Sequence, residues 1–124
     1  MYDNTEGIQI ETVERHDNIG IEVVIIGQAT IENAIYIRDQ LLKIVSKQKP
    51  ILLDMTGIEV ADTSFLQILF ALKETSKIEN IDFTLQYLEP EHPLMELAIK
   101  LGQNMYSFDH MYGIAFDIPE GDML

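Results

Sequence analysis

The chain has 124 residues but no cysteine and no tryptophan, and only 8 Lys and Arg stand against 21 Asp and Glu. Without cysteine there are no disulfides, thiolate metal sites or cysteine nucleophiles. The net charge of −13 argues against binding to nucleic acid or to an anionic membrane surface, because both require Lys and Arg. It favours a protein partner that presents basic groups, although acidity can also serve solubility alone.

Long apolar runs are also missing. The two longest, residues 23–26 and 68–72, are far too short to cross a bilayer, and residues 1–7 have neither the basic nor the apolar region of a secretory signal. We therefore expect a cytoplasmic protein without membrane insertion. An apolar content of 47% is sufficient for a core, and the absence of repeats and linkers predicts one domain over 1–124, with a core at about 8–118 and a tail at 119–124.

Hydrophobic periodicity predicts an α/β fold. Two β-branched segments, 8–13 and 19–27, are typical of strands, and Asp17 and Asn18 between them favour an antiparallel hairpin. Helical spacing of apolar residues begins after Thr30, the expected N-cap of the first helix. The remaining elements are predicted as helices at 31–47, at 63–77 and from Pro93 to Gly102, and strands at 51–53, 81–87 and 112–118.

The order along the chain is therefore ββαβαβαβ. Strands that alternate with helices predict a mixed, mostly parallel sheet of about five strands, with the helices packed mainly on one face. Gly27 is expected to end the second strand, and Asp54 and Gly57 are expected to form a turn after the third. In such sheets functional groups lie beyond the carboxyl ends of parallel strands, which directs attention to the segments after Gly27 and from Asp54 to Ser64.

The second helix begins with three polar residues. Asp62 is a strong N-cap, and Thr63 and Ser64 follow in the first turn, where free N–H groups and the helix dipole favour an anion. A phosphate on either hydroxyl would be tolerated by the helix and would change the surface offered to a partner. Hydroxyl-rich helix starts are common, so an ordinary capping role remains open.

Two segments carry a family resemblance. The run LLDMTGIEVADTSFLQILFALKE resembles the signature of the STAS domain, which is shared by sulfate transporter tails and bacterial anti-sigma factor antagonists, and GQATIENAIYIRDQLLKIV resembles the family's turn into its first helix. The resemblance covers about residues 8–118. In antagonists of this type the hydroxyl residue directly after the Asp is phosphorylated, which implies Thr63 as the phosphoacceptor, with Ser64 second.

The resemblance also implies a function. Such antagonists bind an anti-sigma factor kinase when unphosphorylated and release it when phosphorylated, and a serine phosphatase resets them. The implied partner surface consists of Asp62, Thr63, Ser64, Thr30 and Glu59. The alternative is a constitutive STAS adaptor, either a subunit of a lipid-transport ABC system or part of a chemotaxis-type complex, that uses the same surface without phosphorylation. We expect a monomer or weak dimer.

Three features depart from the family pattern. Phe65 stands where the family usually has glycine, and a side chain there is expected to narrow the approach of a kinase to the backbone. Thr30 stands where the family often has an acidic residue. No C-terminal helix is evident after Ile118, where Pro119 and Gly121 interrupt any pattern.

Other chemistries find little support. Asp54 at a strand end could be a receiver-type phosphoacceptor, but the acidic pair and the Lys of receivers are missing, so Asx bonding in the following turn is favoured. The three histidines form no pair at i, i+4, and His110 beside Asp109 is the remaining metal or acid–base candidate. Because there is no phosphate-binding loop and no GxSxG motif, we expect no cofactor, no metal and no enzymatic activity. Binding of a nucleotide or another small ligand is the third hypothesis, after the phosphorylation switch and the constitutive adaptor.

Overall fold

The computed structural model describes residues 7–14 and 20–100. The strands of this part are β1 (Ile8–Glu14), β2 (Ile21–Ala29), β3 (Ile51–Ala61) and β4 (Phe83–Leu85), and the helices are α1 (Ala34–Val45), α2 (Thr63–Glu79) and α3 (Pro93–Lys100), with a 3-10 turn at Ile31–Asn33 before α1. The sheet order is β1-β2-β3-β4. β1 runs antiparallel to β2, whereas β2/β3 and β3/β4 are parallel pairs.

This arrangement confirms the predicted α/β fold with a mixed, mostly parallel sheet. Four strands are described where about five were expected. The predicted strand at 112–118 lies outside the described residues, as do the Asp17–Asn18 turn, Gly102, the tail at 119–124 and the pair His110 and Asp109.

The core lies on one face of the sheet. Ile21, Val23 and Ile25 of β2 are buried, whereas the alternate residue Val24 is only partly covered and Ile26 is exposed. This alternation follows from the period of two in a strand whose opposite faces differ in environment. The buried sides of the helices join the same hydrophobic cluster, and the largest of their wholly buried side chains are Ile37, Phe65, Leu69 and Leu94.

The prediction that Gly27 ends the second strand is wrong. β2 continues through Gly27 to Ala29, and Gly27 has φ +107°, a conformation that favours glycine. A Cβ at this position would overlap the carbonyl oxygen of Gly7, which accepts a hydrogen bond from the N–H of Gln28 at 2.6 Å. Gly27 is therefore a site of close approach between β1 and β2, not a turn.

The predicted turn at Asp54 and Gly57 is also wrong, because β3 runs through both residues to Ala61. Its register against β2 shifts twice, from Val24↔Asp54 to Ile26↔Gly57 and again before Val60, so β3 contains extra residues at these places. They are β-bulges, in which one strand carries more residues than its partner. The predicted Asx bonding is present, since Asp54 Oδ1 accepts from the N–H of Thr56 at 2.9 Å and from its hydroxyl at 2.7 Å, but it shapes a bulge and not a loop.

The helices agree with prediction except at the start of the first. Thr30 makes no capping hydrogen bond, and the 3-10 turn separates it from α1. α2 begins at Thr63 as predicted and ends before Asn80, whose φ of 62° is the left-handed conformation that commonly stops helices. α3 begins at Pro93 as predicted. β4 is shorter than the predicted strand at 81–87.

Candidate functional site

The predicted site is formed where two parallel strands end side by side. Ala29 of β2 and Ala61 of β3 are paired, so the turn that leads to α1 and the start of α2 are neighbours in space. The N–H of Asp62 donates to the carbonyl of Ala29 at 3.3 Å, which joins the two connections directly. Parallel pairing with its helical crossover thus brings together residues that are 31 positions apart in the sequence.

Asp62 connects the starts of both helical segments. Its Oδ1 accepts from the N–H of Ser64 at 3.0 Å and from the Ser64 hydroxyl, which confirms the predicted N-cap. Its Oδ2 accepts from the N–H of Ile31 at 2.9 Å. One carboxylate therefore satisfies donors that would otherwise lack an intrahelical partner at two helix starts.

The charge of Asp62 is held by these bonds. Burial raises the pKa of this carboxyl, but the hydrogen bonds from the Ser64 hydroxyl and from the N–H groups of Ile31, Ser64 and Phe65 outweigh it and keep the pKa below its ordinary value. Asp62 is therefore ionised at neutral pH, and a fixed negative charge lies beside Thr63.

Thr63 and Ser64 differ in availability. Thr63 is the first residue of α2 and its side chain is exposed, whereas Ser64 is half-buried and its hydroxyl already donates to Asp62. A phosphate on Thr63 would lie at the positive end of the helix dipole without displacing an existing hydrogen bond of Ser64. The geometry favours Thr63 over Ser64 as the hydroxyl that another molecule can reach.

Phe65 does not narrow this surface. Its side chain is 0% exposed and belongs to the hydrophobic core, because the third residue of α2 faces the sheet. The expectation that the Phe65 side chain narrows the approach of a kinase to the backbone is therefore wrong.

The remaining two residues of the predicted partner surface, Thr30 and Glu59, do not lie together. Thr30 is half-buried and donates through its hydroxyl to Glu32 Oε1 at 2.8 Å, close to the Asp62–Ile31 bond. Glu59 is exposed on β3, where it lines a groove that faces α3. The structure thus places Thr30, Asp62, Thr63 and Ser64 together and Glu59 on the α3 side.

Sequence reasoning missed Asn33. It is 3% exposed, and its Nδ2 donates to the carbonyl of Gln28 at 2.8 Å, which ties the 3-10 turn to the end of β2. It precedes Ile37, Leu41 and Ile44 at helical spacing, and a polar residue in line with these apolar ones is the signal that could have revealed it. Gln28 itself is exposed and contributes only its backbone to this contact.

The described part of the chain offers no grouping of three or more His, Asp or Glu side chains that could hold a metal ion. None of the helices in residues 7–14 and 20–100 has the length and the apolar character needed to span a bilayer.

The family model described as STAS domain matches residues 9–93, which include every described residue of the site. The comparison with curated proteins gives no significant match.

Proposed function

The chain belongs to the STAS domain family, and from this we propose that it is a regulatory protein-binding domain of the anti-sigma factor antagonist type, switched by phosphorylation of Thr63. Domains of this family are generally binding modules and not enzymes. The proposed partner is an anti-sigma factor of the serine kinase type, the proposed reset is by a serine phosphatase, and the proposed compartment is the cytoplasm. The observation that carries the proposal is that Thr63 is exposed at the start of α2, beside the fixed carboxylate of Asp62.

The switch follows from the difference between a hydroxyl and a phosphate. A neutral hydroxyl can be covered by a partner at small cost, whereas a phosphate carries about −1.5 to −2 charge and has to be desolvated on entering a close contact. The carboxylate of Asp62, the preceding residue, adds negative charge next to the same position. Phosphorylation of Thr63 thus removes the partner without any change of fold.

Ser64 serves as the second candidate. Its hydroxyl would have to give up the bond to Asp62 before it could accept a phosphate, and the new phosphate would face the Asp62 carboxylate. Modification at Ser64 would therefore disturb the cap of α2, whereas modification at Thr63 would leave it intact.

The test is phosphorylation of the full chain by a purified serine kinase of the anti-sigma factor type. After incubation with ATP, tandem mass spectrometry should place the phosphate on Thr63, and the chain carrying Thr63→Ala should stay unmodified. Thr12→Ala is the matched control, because Thr12 is an exposed threonine of β1 that is not part of the proposed partner surface, and this variant should be modified at Thr63 like the wild type. Phosphorylated protein should no longer capture the kinase.

The constitutive adaptor gives the opposite result. If the active kinase leaves Thr63 and Ser64 unmodified while the partner stays bound, the chain is an adaptor that uses this surface without a switch. Phosphate found only at another residue would overturn the assignment of the site.

A further inference from the structure

An apolar groove begins next to the proposed phosphorylation site. It runs along the outer surface of α1 and α2 from Ile31 and Ser64 to Leu42 and Thr75, and its volume is about 350 Å³. On the α1 side it is lined by large apolar side chains that water reaches in the free protein: Ile31 is 64% exposed, Ile35 58% and Leu42 44%. Solvent exposure of several large apolar side chains in one continuous strip is a mark of an interaction surface.

The spacing of these residues indicates which kind of ligand fits the groove. Ile31, Ile35 and Leu42 stand at i, i+4 and i+11, so they form one stripe along the helical segment. Their span corresponds to about 16 Å at a rise of 1.5 Å per residue. Ile68 and Ala71 of α2 form the opposite wall. A trough of this length between two helices fits about three turns of a third helix packed with its apolar stripe inward.

The charge around the groove decides what kind of helix fits. Among the residues that line the groove, Arg38 carries the one formal charge, and its guanidinium is paired with Asp39 at 3.0 Å. At the mouth of the groove, next to Thr63, the carboxylates of Glu32 and Asp62 adjoin Ile31. A complementary ligand therefore presents Lys or Arg at this end. A second copy of the chain would bring the same acidic residues to the mouth, which makes it a poor occupant.

We propose that the groove between α1 and α2 binds a basic amphipathic helix of the regulatory partner, with the apolar stripe of that helix on Ile31, Ile35 and Leu42 and its Lys or Arg facing Glu32 and Asp62. This inference rests on the proposed function, since the partner is the one that Thr63 controls. The inference goes beyond the proposed function in two ways. It specifies the chemistry of the partner segment, and it identifies a contact region that is separate from the Thr63 hydroxyl.

The probe is a synthetic peptide of about 18 residues made of Leu, Lys and Ala, with its leucines at i, i+3, i+4 and i+7. A second peptide of identical composition has its leucines distributed around the helix. Binding of each to the full chain is measured by isothermal titration calorimetry at about 150 mM salt, where long-range attraction is largely screened. The patterned peptide should bind at least about tenfold more tightly, and amide shifts in the NMR spectrum should concentrate in α1 and α2.

Ile35→Glu should weaken binding of the patterned peptide about tenfold, because it places a carboxylate in the apolar centre of the contact. Ile35 is already exposed to water, so the variant should fold like the wild type. Ile99→Glu is the matched control, since Ile99 is also a helical isoleucine and is 60% exposed, but on α3. It should bind the peptide like the wild type. Glu32→Lys should also weaken binding, by removing one of the two carboxylates at the mouth.

Three results would overturn the proposal: equal binding of the two peptides, equal effects of Ile35→Glu and Ile99→Glu, or a dimer of the free chain that Ile35→Glu dissociates, which would make a second copy the occupant. The peptide titration uses neither a kinase nor ATP. Failure of the groove proposal therefore appears in that titration, whereas failure of the phosphorylation switch appears only in the kinase assay.

Discussion

At the scale of single residues, Asp62 caps two helical segments at once. One oxygen serves the start of α2 through Ser64 and the other serves the 3-10 turn through Ile31. Because the same side chain holds both segments, the position of Thr63 relative to the groove between α1 and α2 depends on it. Asp62 thus links the proposed switch to the proposed docking surface by direct hydrogen bonds.

Asp62→Ala should lower the free energy of unfolding by about 1–2 kcal/mol, since it removes a cap and leaves the N–H groups of Ser64 and Ile31 without their acceptor. Asp62→Asn should lose less, because the amide oxygen still accepts one bond. Urea denaturation measures both. Glu59→Ala is the control, an exposed carboxylate at the same end of the sheet, and should change the free energy of unfolding by less than about 0.5 kcal/mol. Equal losses for Asp62→Ala and Glu59→Ala would contradict the double-cap role.

His92 is a second residue whose ionisation is tied to the fold. It precedes α3, and its Nδ1 accepts a hydrogen bond from the N–H of Leu94 at 3.1 Å. Burial lowers the pKa of His92 below its ordinary value, and the neighbouring backbone of Thr56 and Met55 raises it only in part. The ring is therefore neutral when it caps α3, since a protonated Nδ1 could not accept this bond.

The protein should lose stability when the pH falls from about 7.5 to about 5.5. The unfolded histidine binds a proton near the ordinary pKa of 6.5, but the folded one does so only at a lower pH, so in this window the unfolded state holds more protons and acid favours unfolding. Urea denaturation at both pH values measures the loss. His92→Asn keeps a good capping residue without a titrating ring and should show a smaller loss. An unchanged pH dependence in this variant would exclude His92 as the source.

At the scale of elements, β2 and β3 extend further than their local sequence indicates, and this extension builds the site. β3 accommodates two bulges and still reaches Ala61, where it pairs with Ala29. If β3 did not continue to Ala61, Asp62 would not lie next to Ile31. The bulges also change which residues face the core: Met55 is buried and so is Ile58, three positions later instead of two.

Gly27→Ala should destabilise the protein by at least about 2 kcal/mol, because its φ of +107° is unfavourable for alanine and the new methyl would overlap the carbonyl of Gly7. Gly57→Ala is the matched control within the same strand pair. Its methyl would come within 3.0 Å of Ile26 Cγ1, which belongs to an exposed and adjustable side chain, so a smaller loss is expected. Thermal or urea unfolding of the two variants should give this order, and the reverse order would mean that β1 does not approach β2 at Gly27.

At the scale of the whole molecule, the net charge of −13 lowers the stability of the folded state and favours basic partners. Like charges repel in the folded chain, and the same field attracts basic partners and raises their rate of association. Ion pairs such as Arg38–Asp39 at 3.0 Å and Lys49–Glu14 at 3.1 Å are too exposed to offset this repulsion, since surface pairs contribute about 0–1 kcal/mol each.

Raising the salt concentration from about 10 mM to about 150 mM should therefore increase the free energy of unfolding, because screening relieves repulsion over distances beyond about 10 Å. Urea denaturation at the two concentrations measures the change. Sodium chloride and potassium chloride should act alike if screening is the cause. A protein that loses stability with added salt would show instead that its few ion pairs outweigh the repulsion.

Much of the architecture could be predicted because local patterns determine it. Apolar periodicity identified all seven strands and helices of the described residues, and capping chemistry placed the start of α2 at Thr63 behind Asp62. Such signals depend on neighbours within a turn or two of the chain. The same local rules misread Gly27 and Gly57 as turns, because a glycine that makes room for another strand looks the same in sequence as one that bends the chain.

The sequence by itself determined the α/β alternation, the acidic surface, and the hydroxyl residues that open α2. Only the tertiary structure decided that Asp62 reaches Ile31, that Asn33 is anchored to β2, that Phe65 turns inward away from Thr63, and that α1 and α2 leave an apolar groove beside it. These features depend on strand pairing and helix packing between residues far apart in the chain, and no local spacing of residue types encodes such distances.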